Sequence, residues 1–219
     1  MKKMILSALF TIAICLTFTA MVHANLITNG SFETGAYDDS AHSGYTRLAA
    51  GSTAIDGWVV GGDGLDWHII EGPSAHFGGN GVNGSQYAVD LSKDGGSGSY
   101  SISQTFATTA GSDYALSFLL GAPWFDTGVT VSIGGVSQDY TLAGGDQYDF
   151  DWTSIFLNFN AVDALTTLSF TNIYGGYWAP VIDNVSVESR MNPVPEPSTM
   201  LLLGLGLAGV LSLRKKIVA

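Results

Sequence analysis

Between Asn25 and Arg190 no apolar pattern of helical period persists, whereas short alternating runs rich in β-branched and aromatic residues recur between Gly, Asn, Asp and Ser. The runs predict strands at Leu26–Thr28, Gly57–Val60, Asp66–Ile70, Tyr87–Leu91, Tyr100–Phe106, Tyr114–Leu120, Val129–Ile133, Asp139–Leu142, Trp152–Phe159, Thr166–Phe170 and Val181–Val187. Ile102, Gln104 and Phe106 share one strand face, and Ser101, Ser103 and Thr105 share the other. With no helix-length connections, a central parallel sheet is excluded and an all-β, two-sheet sandwich follows. Gly61–Gly64, Gly78–Gly84 and Asp94–Gly98 read as surface loops, Gly72-Pro73 as a turn, and Glu188–Pro197 as an exposed tether.

Both ends fall outside that pattern. Lys2 and Lys3 precede an apolar stretch from Ile5 to Met21, and Val22-His23-Ala24 offers small residues before a cut. Residues 1–24 therefore read as a signal peptide, cleaved by signal peptidase between Ala24 and Asn25. The single cysteine, Cys15, lies inside this segment, so the mature domain has no disulfide, thiolate metal site or cysteine nucleophile. Its core, or a bound ion, must hold it together.

Residues 25–188 are a suitable length for one domain. From Asn25 to Arg190 the chain carries eighteen acids against three cations, Arg47, Lys93 and Arg190, a net charge of −15. Such a surface repels phosphate backbones, which excludes nucleic acid as a partner, and it suits cations, neutral sugars or a saline exterior.

The carboxy-terminal end has three parts in order. Pro195-Glu196-Pro197 closes a linker over residues 189–197, an apolar run from Met200 to Leu213 carries Gly204, Gly206 and Gly209, and Arg214-Lys215-Lys216 follows. Fourteen helical residues rise about 21 Å, short of a hydrocarbon core of roughly 30 Å, but with Ser198, Thr199 and the flank after Lys216 the segment over residues 198–219 can form a thin transmembrane helix with its basic cluster in the cytoplasm. This end resembles the PEP-CTERM sorting signal of Gram-negative bacteria. The resemblance implies recognition by an exosortase, cleavage near Pro195-Glu196-Pro197, and transfer to the surface or release, often in bacteria that make exopolysaccharide and biofilm. A simple tail anchor is the alternative.

In the body, Asn29-Gly30-Ser31-Phe32-Glu33, Asp56-Gly57-Trp58, Ser85-Gln86-Tyr87-Ala88-Val89-Asp90-Leu91, Ile102-Ser103-Gln104-Thr105-Phe106, Tyr114-Ala115-Leu116-Ser117-Phe118 and Ile182-Asp183-Asn184-Val185 occur in that order. Together they resemble the bacterial choice-of-anchor C family and related plant cell-wall domains of unknown function. The resemblance implies a galactose-binding-like jelly roll. It also implies that the first and last strands end close together, where domains of this kind often hold one hard cation. Glu33 and Asp183 would then be its carboxylates, and the Ser31 or Gly35 carbonyl would complete a Ca²⁺ shell of six to eight oxygens.

Sugars stack C–H faces on indole and phenol rings, with Asp, Asn or Gln bonding their hydroxyls. Trp124, in Ala122-Pro123-Trp124-Phe125-Asp126, and Tyr177 and Trp178, in Tyr174-Gly175-Gly176-Tyr177-Trp178, sit in loop-like segments and are the candidate platforms. Trp58 and Trp152 sit in strand patterns and are expected in the core. Asp66 and His68 share a strand face, yet no zinc-enzyme spacing, phosphate-cradling loop or nucleophile elbow occurs. The reading is a non-enzymatic, exported surface protein that binds carbohydrate or mediates adhesion. A structural protein without a sugar ligand, and a polysaccharide-active enzyme, are the alternatives.

Overall fold

A computed structural model describes residues 24–70, 85–93, 98–146, 150–175 and 179–190. Eleven strands occur among them: β1 (Tyr45–Leu48), β2 (Val59–Gly62), β3 (Leu65–Ile69), β4 (Tyr87–Asp90), β5 (Tyr100–Ala107), β6 (Asp113–Gly121), β7 (Thr127–Ile133), β8 (Val136–Leu142), β9 (Thr153–Asn160), β10 (Leu165–Asn172) and β11 (Val181–Ser189). They form a six-stranded sheet, β1-β3-β4-β11-β6-β9, and a five-stranded sheet, β2-β5-β10-β7-β8. Every pairing is antiparallel. From β5 onward the chain crosses between the sheets at nearly every step, the winding of a jelly-roll sandwich.

Alternation decides what lies between the sheets. Leu116, Phe118 and Leu120 of β6 face Val129, Val131 and Ile133 of β7 and Leu168 and Phe170 of β10 in one core. Phe118 meets Phe170 edge-on at 4.9 Å, and Trp58 lies 6.3 Å from Phe170. The β7–β8 hairpin turns on Gly134 and Gly135, with φ of 56° and 80°, the pair of left-handed conformations a two-residue turn needs.

Three expectations change. Leu26–Thr28 is not a strand. Only Leu26 N–H bonds to the Val187 carbonyl, while the Asn25 side chain accepts from Ile27 and Val187, and Gln104 bonds Thr28. Tyr45–Leu48 is a strand although its sequence is short and polar, because its ladder with β3 supplies the backbone partners. Within Gly61–Gly64, expected as a loop, Gly61 and Gly62 end β2 and pair with Ser101 and Tyr100. The turn at 72–73, the loop at 78–84, and most of the loop at 94–98 lie outside the described residues.

Trp58 is 1% exposed, lies tilted against Phe32 at 5.1 Å, and donates its Nε1–H to the Asn29 carbonyl at 3.0 Å. It thereby fastens the opening turn to the core. Trp58→Phe is expected to cost about 1 kcal/mol for the lost hydrogen bond, and Trp58→Ala about 3–5 kcal/mol, both read by urea unfolding.

Candidate functional site

The opening turn and the last strand meet in a tight joint. Gly30 accepts the Val185 N–H at 2.8 Å, and a side-chain carbon on Gly30 would collide with the Val185 carbonyl. Asn25 Oδ1 accepts the Val187 N–H at 2.9 Å, and Asn25 Nδ2 donates to the Val185 carbonyl. Among the described residues, the non-glycine positions with positive φ are Asn29, Phe32 and Asn184, and all three lie in this joint. Such conformations cost about 1–3 kcal/mol each and persist only where surroundings enforce them.

β11 departs from β4 after Ile182, and a register shift follows Asp183. Glu33 fills the place of the missing ladder. Its Oε1 accepts the Gln86 and Tyr87 N–H groups and the Ser85 hydroxyl, at 2.8, 2.9 and 2.8 Å. Asp183 is 0% exposed, and its Oδ1 accepts the Asn184 N–H. Among the described residues its Oδ2 has no hydrogen-bond partner. Ser85 lies near Asp183, but its single proton goes to its shortest contact, Glu33. Burial pushes the Asp183 carboxyl up to about 7, and the Glu33 charge adds to that rise. The joint thus gathers two carboxylates, with the Ser31 carbonyl 3.4 Å from the Ser85 hydroxyl. Gly35 turns away to bridge Ile55. A buried carboxylate oxygen without a donor, beside a second carboxylate and a carbonyl, is a donor set that fits a hard cation. Among the described residues no group of three or more His, Cys, Asp or Glu converges, so carbonyl and hydroxyl oxygens would have to complete the shell.

A second polar group lies on the face of the six-stranded sheet turned away from the core. Arg47, Asp66, Asp90, Val181 and Gly121 form one cross-strand row, and Tyr45, His68 and Ala88 form the next. Arg47 reaches Asp66 with Nε at 3.1 Å and Nη2 at 3.4 Å, and its guanidinium sits 5.4 Å over the Tyr45 ring. Tyr45 stacks between His42 and His68. His68 Nε2 is 3.4 Å from Asp90 Oδ2. Burial raises the Asp66 pKa although Arg47 opposes the shift. The Asp66–His68 alternation is visible in the sequence, but Tyr45, Arg47 and Asp90 join them only through the ladders.

Beside that row is a smaller apolar cluster of Ile70, Ala88, Phe150 and Val181, against which Trp124 and Trp152 pack, both half-buried. Trp152, expected in the main core, belongs here. β10 ends beside the start of β7, at the Asn172–Val129 pair, so residues 122–126 and 173–175 share one end of the sandwich. Phe125 and Tyr174 are 51% and 57% exposed there. Asp126 accepts the Gly144 N–H. Tyr177 and Trp178 lie outside the described residues, as do Pro195, Glu196, Pro197, Arg214, Lys215 and Lys216. Ala24 and Asn25 open the described chain, both exposed. No helix among the described residues is long and apolar enough to cross a membrane, and the segment expected to do so is not among them.

The fold and these sites can be set beside known proteins. Residues 25–188 match the family described as protein of unknown function DUF642, and the chain belongs to that family. Residues 193–216 match the PEP-CTERM protein-sorting motif, which supports a secreted or cell-surface protein and implies exosortase processing. Halomucin of Haloquadratum walsbyi is 29% identical over 183 residues, or 78% of this chain, which spans only 2% of halomucin. Among solved structures, the arabinose-bound α-L-arabinofuranosidase MgGH51 superposes with a TM-score of 0.50 at 16% identity, over 80% of this chain and 28% of that enzyme. The module TmCBM61, solved with β-1,4-galactotriose, gives a TM-score of 0.48 at 20% identity, over 76% of this chain and 99% of the module.

Burial pushes the His68 imidazole down to about 3, so the folded domain keeps it neutral where the unfolded chain protonates it, near 6.5. The unfolded state then binds the extra proton, so this contribution to stability is whole above pH 6.5 and declines as the pH falls toward 3. Denaturant unfolding across that window is expected to be steeper in pH for the native chain than for His68→Gln, by up to about 1.4 kcal/mol per pH unit.

Proposed function

We propose that this protein is an exported surface protein, processed by signal peptidase and an exosortase, whose sandwich binds extracellular polysaccharide and does not cleave it. In this reading residues 1–24 are removed as a signal peptide and residues 25–188 are the binding domain. Residues 189–197 carry the sorting motif, and residues 198–219 hold the chain transiently in the inner membrane. The supporting observation is that Trp124-Phe125 and Tyr174, picked out in the sequence as parts of separate aromatic stretches, come together at one end of the sandwich beside Asp126. Exposed rings beside fixed polar groups are what a neutral sugar needs. Tyr177 and Trp178, the candidate platforms that follow Tyr174 in the chain, lie outside the described residues.

A glycan array is expected to register binding of the mature domain to at least one polysaccharide. Phe125→Ala and Tyr174→Ala, at exposed positions, are expected to weaken it about tenfold each, as loss of one stacked ring implies. Binding of no glycan would leave the structural, non-binding alternative standing. Turnover of a labelled exopolysaccharide would establish the enzyme instead.

We further propose that Glu33 and Asp183, with the Ser31 carbonyl, hold one structural Ca²⁺. The ion would neutralise two neighbouring carboxylates and tie the opening turn to the last strand. With calcium at about a hundred times its dissociation constant, EDTA is expected to lower the melting temperature by roughly 5 to 10 °C. Asp183→Asn is expected to abolish that dependence. An unchanged melting temperature in EDTA would discard the ion.

A further inference from the structure

Among the described residues the two sheets have four edges, β1, β9, β2 and β8. An unpaired strand edge is a template for another strand, and proteins blunt it by shortness, charge, proline or distortion. β1 has four residues and carries Arg47. β2 has four and ends in two glycines, of which Gly62 has a φ of 60°. β8 carries Asp139 at its centre. β9 has none of these devices. It runs eight residues, Thr-Ser-Ile-Phe-Leu-Asn-Phe-Asn, without charge, proline or glycine, and its ladder with β6 is continuous from Asp113–Asn160 to Leu120–Thr153. Eight residues span about 27 Å of unbroken edge. At its middle Phe156 is 74% exposed.

The pattern of β9 is complementary to itself. In an antiparallel pair with a two-fold axis at Phe156, that ring faces its own copy, Ser154 faces Asn158, and Ile155 faces Leu157. Across the three central pairings apolar meets apolar and polar meets polar, and the mismatch of Thr153 with Phe159 falls at the end of the strand. Ile155 and Leu157 pack on the core yet stay half-exposed at the edge, where a neighbouring strand would finish covering them. Charge selects the same place. Two copies with eighteen acids against three cations repel each other over most approaches, and β9 is a neutral strip on which close contact costs least.

We propose that β9 is a homotypic assembly edge, at which a second copy of this chain adds its own β9 antiparallel and joins two six-stranded sheets into one of twelve. The pairing strengthens as salt rises, because screening removes the repulsion between the bodies and leaves the neutral edge untouched. It is independent of any glycan.

The mature body has no cysteine, which permits a direct test on the full chain in producing cells. On a Cys15→Ala background, single cysteines are introduced at Phe156 and, as a control, at Thr105, exposed on the other sheet. Intact cells are treated with a short bis-maleimide. Phe156→Cys is expected to give covalent dimer at least tenfold above Thr105→Cys, rising with salt. To keep the Phe156 ring, copies with Ser154→Cys are co-expressed with copies bearing Asn158→Cys. These are expected to cross-link to each other, and Phe156→Lys in both is expected to abolish it with the melting temperature unchanged. Equal yields at Phe156 and Thr105, no cross-linking of the Ser154 and Asn158 pair, or products joined to a different protein would each overturn the proposal.

Discussion

The sandwich depends on one contact, the closing of its first turn against its last strand. Without a disulfide, the domain must join its ends by backbone and side-chain hydrogen bonds across 160 residues, and Asn25 and Gly30 do so against Val185 and Val187. The geometry forces Asn29, Phe32 and Asn184 into left-handed conformations that ordinary residues avoid. Phe32 tolerates this because Trp58 and the core enclose it. The same closure brings Glu33 to the unpaired start of β4 and leaves Asp183 buried beside it. The candidate ion site is therefore a by-product of the joint, built from the groups that closure strands.

The two faces of the six-stranded sheet carry different chemistry. The inner face is apolar and interlocks with the second sheet. The outer face pairs one of the three body cations, Arg47, with Asp66, and places His68 and Asp90 beside them. A partly buried ion pair of this kind adds little net stability, because desolvation offsets attraction. What it does fix is orientation, since Arg47 is held by two contacts to Asp66 and by the ring of Tyr45. Val181 belongs both to this row and to the apolar cluster that Trp124 and Trp152 pack against, so the two groups are neighbours on the sheet.

Most strands were legible because their period of two is strong, as in β5, where Ile102, Gln104 and Phe106 turn inward. The failures have physical causes. Leu26–Thr28 has a strand's apolar content, but side chains of Asn25 and Gln104 take the bonds that a ladder would. β1 has little apolar content and exists because β3 accepts it. Of the sites, Glu33 and Asp183 could be matched only through the family pattern, since the 149 intervening residues hide their proximity. Arg47, Asp90 and Phe156 gave no local signal at all. Their meaning comes from strand order, which decides that Arg47 faces Asp66 and that β9 has a free side.

The position of the last strand has a mechanical consequence for any load applied beyond it. β11 lies inside its sheet, between β4 and β6, and the chain leaves it directly for the residues that carry the sorting motif. A pull on that tether enters β11 lengthwise. The ladder with β6 runs from Val181–Gly121 to Asp183–Leu119 and, past the register shift, from Ser186–Ser117 to Ser189–Tyr114, so the bonds within each stretch are loaded side by side, in shear. The opening turn, fastened to the same strand at Val185 and Val187, adds to what must break. An edge strand in this position would peel one bond at a time. In a chain held by the residues that follow β11, the load would enter at a central strand, one of the strongest directions such a sheet offers.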